Sequence, residues 1–329
     1  MLNRFPIRGP GWLPERVQLI KPPALRAGDT IGIVSTSSPV SPDELGRLAG
    51  YLRGRGYQVK LAEGVTDRLG YFAGTPGRRA AGVMAMFADP EVAMVLPATG
   101  GTGSHQLIDR LDYDVIQGRP KLFAGFSNPS ALNNSMLAAA GLATLHGVTG
   151  FQFFQPEIEP GTERAFWAMV SGPVAGTEIG GHGWRVYPRD SPGGTVSGPV
   201  VGGNLGACYP LVGTRWMPST AGAILVVEAS SATYEMVELT LTQLRLAGLL
   251  DGIAALVIGA PADWAPEGAP DRNVDELILR SAGGGFPVVT NVPCGHQPRR
   301  IQFPVGCRIA LNLDPGVPVL RYEEDLVRC

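Results

Sequence analysis

The feature that most constrains this chain is a repeated switch of hydrophobic period through its first half. Thr30-Ile31-Gly32-Ile33-Val34-Ser35 is a short β-branched run ending in small polar residues, and Asp43 to Arg55 follows with leucines at 45, 48 and 52, close to helical spacing. Gly56 stops that helix. Tyr57 to Leu61 predicts a second strand, Arg78 to Phe87 a second helix, and Ala93 to Pro97 a buried strand running into Gly100, Gly101 and Gly103. Lys121 to Phe126 and Ser130 to Ala140 repeat the strand and helix once more. Strands alternating with helices over short connections predict an α/β fold with a parallel sheet flanked by helices, and ligands then sit beyond the carboxyl ends of the strands.

From Gln155 to Pro199 the periodicity fades among Pro156, Pro160, Pro173, Pro188 and Pro192, which predicts a connecting stretch. Beyond it, Ala223 to Val227 and Ala254 to Ile258 predict strands, Tyr234 to Ala247 a helix, and Phe303 to Leu313 a β-rich end. A length of 329 residues suits two domains. The division expected is residues 1–165, a linker over 166–195, and a β-rich α/β domain over 196–329.

Several function classes fall away on charge and spacing. Twenty-seven basic and 29 acidic residues lie scattered along the chain, without the basic stripe that nucleic acid requires. The longest apolar run, Ile253 to Ala260, is far too short to cross a bilayer, and prolines and charges break up the first 21 residues where a signal peptide needs an apolar core. Cys208, Cys294, Cys307 and Cys329 show no Cys-x-x-Cys spacing, and His105, His146, His182 and His296 form no close pair. No metal or other cofactor is expected, and scattered thiols fit a cytoplasmic protein.

Four places can carry chemistry. In Phe123-Ala124-Gly125-Phe126-Ser127-Asn128-Pro129-Ser130 a strand runs through glycine to a serine just before a helix, where a hydroxyl meets unpaired backbone N–H groups. Helix capping by Ser127 is the competing explanation. Thr99-Gly100-Gly101-Thr102-Gly103-Ser104, ahead of a helix expected to begin near Ser104, could bring backbone N–H groups close to an oxyanion, and it lacks the lysine of a phosphate-binding loop. His296, in a loop after the Val288 to Val292 strand, is either a general base or a solvated side chain. Glu228 ends an apolar strand and either points into a cleft or flanks a helix.

Taken together, these pieces resemble the LD-carboxypeptidase family of serine peptidases, which contains muropeptide carboxypeptidases and microcin C self-immunity peptidases. The resemblance runs from Lys21-Pro22-Pro23 and Gly28-Asp29-Thr30 through Tyr71-Phe72-Ala73-Gly74, Leu145-His146-Gly147 and Gly202-Gly203-Asn204-Leu205 to Gly295-His296 and Phe303-Pro304-Val305-Gly306. It implies a catalytic triad of Ser127, Glu228 and His296 assembled in a cleft between the two domains. It also implies oxyanion or substrate contacts from Gly100, Gly101, Asn128, Thr99 and Asn204, a small peptide, muropeptide or peptide-like antibiotic as substrate, and a homodimer. Members usually carry Arg before the Gly-Gly pair, Asp after the nucleophile and an acidic residue after the glutamate, where this chain has Thr99, Asn128 and Ala229. The missing arginine implies altered specificity, unless Arg164, Arg185 or Arg189 fills its place. An acyltransferase using the same acyl-enzyme and a silent ligand-binding homologue are the other classes compatible with the residues.

Overall fold

A computed structural model describes residues 18–155, 158–188, 193–261, 273–314 and 316–329. The first half builds β1 (Thr30–Val34), α1 (Pro42–Gly54), β2 (Gln58–Leu61), α2 (Pro76–Ala88), β3 (Val92–Pro97), α3 (Tyr113–Gly118), β4 (Leu122–Gly125), α4 (Ser130–Ala140) and β5 (Thr144–His146). Next come α5 (Gly150–Phe154), α6 (Pro160–Ser171), β6 (Glu178–Gly180) and β7 (Arg185–Tyr187). The second half holds β8 (Thr195–Asn204), α7 (Leu205–Cys208), β9 (Ile224–Glu228), α8 (Tyr234–Leu246), β10 (Ala255–Gly259), α9 (Val274–Ala282) and β11 (Val288–Val292), then β12 (Phe303–Val305), β13 (Arg308–Asn312) and β14 (Val319–Tyr322).

The alternation does form parallel ladders, β2-β1-β3-β4-β5 in the first half and β8-β9-β10-β11 in the second. The halves join through β12, antiparallel to β5 with Phe303 opposite His146, so one mixed, mostly parallel sheet spans the chain. Antiparallel β13, β14 and β6 extend from β8 as the β-rich end expected. Helices cover both faces. One buried cluster gathers Leu48, Leu96, Phe166, Val226 and Phe303, and another gathers Phe87, Phe123, Leu132, Leu225 and Leu241. Strands buried on both sides explain the near-continuous apolar runs in the sequence.

Two expectations need correction. The stretch from 155 to 199 is not structureless, because α6 occupies twelve of its residues and buries Phe166, Trp167, Met169 and Val170. Pro160 lies in the first turn, where its missing N–H costs nothing, and the Glu159 carboxylate accepts from Gly161 and Thr162 N–H at 3.0 and 2.6 Å. A proline there marked a helix start. The helix expected near Ser104 is a short 3-10 segment, Ser104–Arg110, because Asp112 caps a new helix immediately behind it.

Candidate active site

Ser127 is one of three described non-glycine residues with positive φ, at 62° in the turn between β4 and α4. Such backbone is costly for a serine and persists only when its surroundings enforce it. Here they do. Gly125 has no room for a Cβ, which would fall 2.7 Å from Asn133 Oδ1 and 3.0 Å from Pro129 Cβ, so glycine lets α4 close down on β4. Asn133 Nδ2 then ties the turn by donating to the Gly125 carbonyl at 2.9 Å. The capping explanation for Ser127 fails, since Pro129 occupies the N-cap position without any side-chain bond.

The glycine-rich loop lies directly against this turn. A Cβ on Gly100 would stand 3.0 Å from Ser127 Cβ and 3.2 Å from its Oγ, and one on Gly101 would collide with Ser38 Oγ. Among the described residues, the N–H groups of Gly100, Gly101 and Asn128 have no hydrogen-bond partner, as donors waiting for an oxyanion would require. The Thr99 and Asn128 side chains are committed elsewhere. Thr99 Oγ1 donates to the Ser38 carbonyl at 2.7 Å, and Asn128 Oδ1 accepts from Ser104 N–H at 2.7 Å and Ser37 Oγ at 3.1 Å. Buried Arg79 donates to the Thr36 and Gly103 carbonyls and holds the same loops from behind; burial lowers its pKa.

Glu228 and His296 come together from the second half. Glu228 ends β9 with a fully buried side chain, and its Oε2 lies 2.8 Å from His296 Nδ1. Glu228 is therefore no helix-flanking charge; α8 is capped by Thr233 instead. Nor is His296 a solvated side chain, with a quarter of it exposed. Asn204 Nδ2 donates to Glu228 Oε1 at 3.0 Å while its Oδ1 caps α7, which fixes the amide at both ends. Gly259 and Gly295 give the carboxylate its space, since a Cβ at either would press on Glu228. The His296 ring packs on Phe126, with centroids 4.6 Å apart, and Phe126 is the residue before Ser127. Among the described residues no direct hydrogen bond joins Ser127 to His296, a looseness common without substrate.

Arg300 is the functional candidate that sequence reasoning missed. Its guanidinium lies 4.6 Å from the Phe126 ring centroid, and Nε and Nη1 are buried with no partner. Burial lowers its pKa, against the pull of Glu228. The signal available was Pro298-Arg299-Arg300, a basic pair shortly after His296. Of the arginines expected to replace the missing one, Arg185 pairs with Asp275 at 2.6 Å, Arg164 is exposed on α6, and Arg189 lies outside the described residues. No group of three or more potential metal ligands occurs among the described residues. A cleft of about 710 Å³ opens where β3 and β4 begin, between Asp29, Val92 and Lys121, away from this chemistry. No described helix is long and apolar enough to cross a membrane.

The profile of the LD-carboxypeptidase N-terminal domain matches residues 31–147, and that of the LD-carboxypeptidase C-terminal domain matches residues 197–311. The chain is 28% identical over 294 residues to a murein tetrapeptide carboxypeptidase of Pseudomonas aeruginosa, covering 84% of this chain and 91% of that one. It is 26% identical over 319 residues to the microcin C7 self-immunity protein MccF of Escherichia coli, covering 88% and 94%. Among solved structures, MccF superposes with a TM-score of 0.84 at 24% identity over 93% of this chain and 99% of that one. A muramoyltetrapeptide carboxypeptidase of Oxalobacter formigenes gives 0.79 at 29% identity over 90% and 99%.

Proposed function

Since the chain belongs to the LD-carboxypeptidase family, we propose that it is a serine hydrolase cleaving an amide bond next to a carboxylate, with Ser127, His296 and Glu228 as its triad. The observation that carries this reading is a strained elbow serine whose neighbour Phe126 packs on a histidine with its Nδ1 already bound to a buried carboxylate. Glu228 takes the Nδ1 proton in a hydrogen bond, which leaves Nε2 as the free base. His296 Nε2 accepts the Ser127 proton as Oγ attacks the scissile carbonyl, and later returns a proton to the leaving amine. The N–H groups of Asn128 and the Gly100-Gly101 loop hold the tetrahedral oxyanion. Water, activated by the same imidazole, releases the acyl group.

The substrate class that fits is a small peptide with a free carboxylate, as in a muropeptide or a peptide-like antibiotic, in line with what the relatives are named for. Thr99 is spent on Ser38 and cannot receive that carboxylate. Arg300 lies beside the residue before Ser127 with two unpartnered donors, and its fork suits a carboxylate. All four cysteines are free, three of them buried, which suits a reducing compartment, and we take the protein to be a cytoplasmic homodimer on the family likeness.

Intact-mass spectrometry with a panel of peptide acids, amides and esters tests the reaction. An acyl adduct on Ser127 should build up and decay in the wild type, and Ser127→Ala should lose the adduct and at least about a thousandfold in turnover. Near-full turnover in Ser127→Ala would sink the nucleophile assignment.

A further inference from the structure

His146 is a buried histidine that the proposed triad does not use. It ends β5, 1% exposed, and Ser130 Oγ lies 3.2 Å from its Nδ1. Ser130 Oγ also accepts from the Asn204 backbone N–H at 3.1 Å. With that contact made, the hydroxyl faces His146 Nδ1 across one hydrogen bond, which a neutral ring can accept, while Nε2 is buried with no described partner. Burial pushes the pKa of His146 down to about 4, which keeps the ring neutral and able to accept. Gly203 makes the arrangement possible. A Cβ there would fall 2.8 Å from Ser130 Oγ and 3.0 Å from His146 Nδ1, and its φ of 132° suits glycine alone.

These contacts form one continuous line: His146 to Ser130, Ser130 to Asn204 N–H, Asn204 Nδ2 to Glu228 Oε1, and Glu228 Oε2 to His296. It crosses from β5 and the first turn of α4, the helix behind Ser127, to β8 and β9 in the second half. We infer that His146 and Ser130 are positioning residues, which lock the Glu228 and His296 arm in register with the Ser127 elbow. This rests on the hydrolase reading for its consequence, though the line of hydrogen bonds stands without it. Neither residue is hydrogen-bonded to the reacting atoms; Ser130 acts through Asn204, and His146 acts through Ser130 beside a ring contact with Phe126, centroids 5.3 Å apart.

Fluorophosphonate labelling of Ser127 tests this without a known substrate. The Oγ–P bond forms, the P–F bond breaks, and the serine proton passes to His296 before leaving with fluoride. His146→Leu and Ser130→Ala should each label about ten- to a hundredfold more slowly, the cost of a displaced catalytic group. The double variant should be no slower than the slower single one, since both break the same line. His146→Asn should recover to within about threefold, because its amide oxygen can take the Ser130 proton. Wild-type rates in both, additive losses in the double variant, or His146→Asn as slow as His146→Leu would each overturn the inference. If Ser127 in the wild type does not label at all, the nucleophile reading has failed instead. The low-field proton resonance of His296 Nδ1 then decides: it should broaden or shift in Ser130→Ala, and an unchanged signal would overturn the positioning role.

Discussion

The elbow in the first half and the arm in the second are built on different principles. Ser127 owes its position to backbone: a positive φ, a glycine at 125 that admits α4, a glycine at 100 that admits the serine itself, and the closing Asn133 bond. Glu228 and His296 owe theirs to side chains reaching one another from β9 and the loop after β11, steadied by Asn204 from β8. Backbone geometry is rigid and local. Side-chain geometry depends on how two halves of a sheet pack, and Phe126 is where they meet, touching His296 on one hand and Arg300 on the other. An elbow made of backbone should fail by steric intrusion, while an arm made of side chains should fail by altered protonation and binding.

The largest expected effect strikes the elbow. Gly100→Ala places a methyl 3.0 Å from Ser127 Cβ, with the buried turn behind it unable to retreat. We expect kcat to fall about a hundredfold or more, the order of losing an oxyanion donor, with the melting temperature little changed. Steady-state kinetics beside a thermal melt checks this. A kcat within twofold of wild type would show that the loop adapts, and the contrast between rigid elbow and adjustable arm would collapse.

A smaller effect is expected at the arm. Arg300→Gln removes the cation beside Phe126 while leaving the Glu228 and His296 contact in place. For a substrate with a free carboxylate, KM should rise about ten- to a hundredfold, and for the matching amide or ester it should hardly move. Equal losses on acid and amide would mean that Arg300 supports the loop through packing, and the altered-specificity expectation drawn from Thr99 would stand.

Legibility in the sequence follows the same division. The elbow could be read locally, because Gly125, Ser127 and Pro129 are neighbours and a strand-to-helix turn has composition rules of its own. Residues of the arm were singled out one by one from their places at strand ends, but only family likeness joined them, for nothing local to Glu228 or His296 says that they meet across 68 positions. The Ser130, Asn204 and His146 line was invisible for the same reason, and Arg300 looked like any loop cation. In the fold, alternating periods predicted the parallel ladders, whereas α6 was hidden because proline was taken as a breaker when Glu159 and Pro160 together begin a helix. The antiparallel seam of β5 and β12 rests on three residue pairs, too short a pattern to stand out in sequence.

The smallest expected effect probes the seam itself, through stability and acid. His146 titrates at about 4 when folded, chiefly because burial disfavours the charged ring, against about 6.5 in an unfolded chain. A folded value below the unfolded one means the unfolded state takes up protons first, so this contribution is whole above about pH 6.5 and fades as pH falls toward 4. His105 shifts in the same direction, through burial and Arg79, and carboxylates such as Glu44 and Glu159 add their losses at lower pH still. The difference between wild type and His146→Asn isolates one group among them. Asparagine does not titrate, so the variant should start less stable at pH 7.5 and lose less between pH 7 and 5, the two melting curves converging by roughly 1–2 kcal/mol. Thermal melts across that range read the slope directly. Parallel curves for the two proteins would mean that His146 is not held neutral in the folded state, and the seam would then have to be fastened by something other than an accepting imidazole.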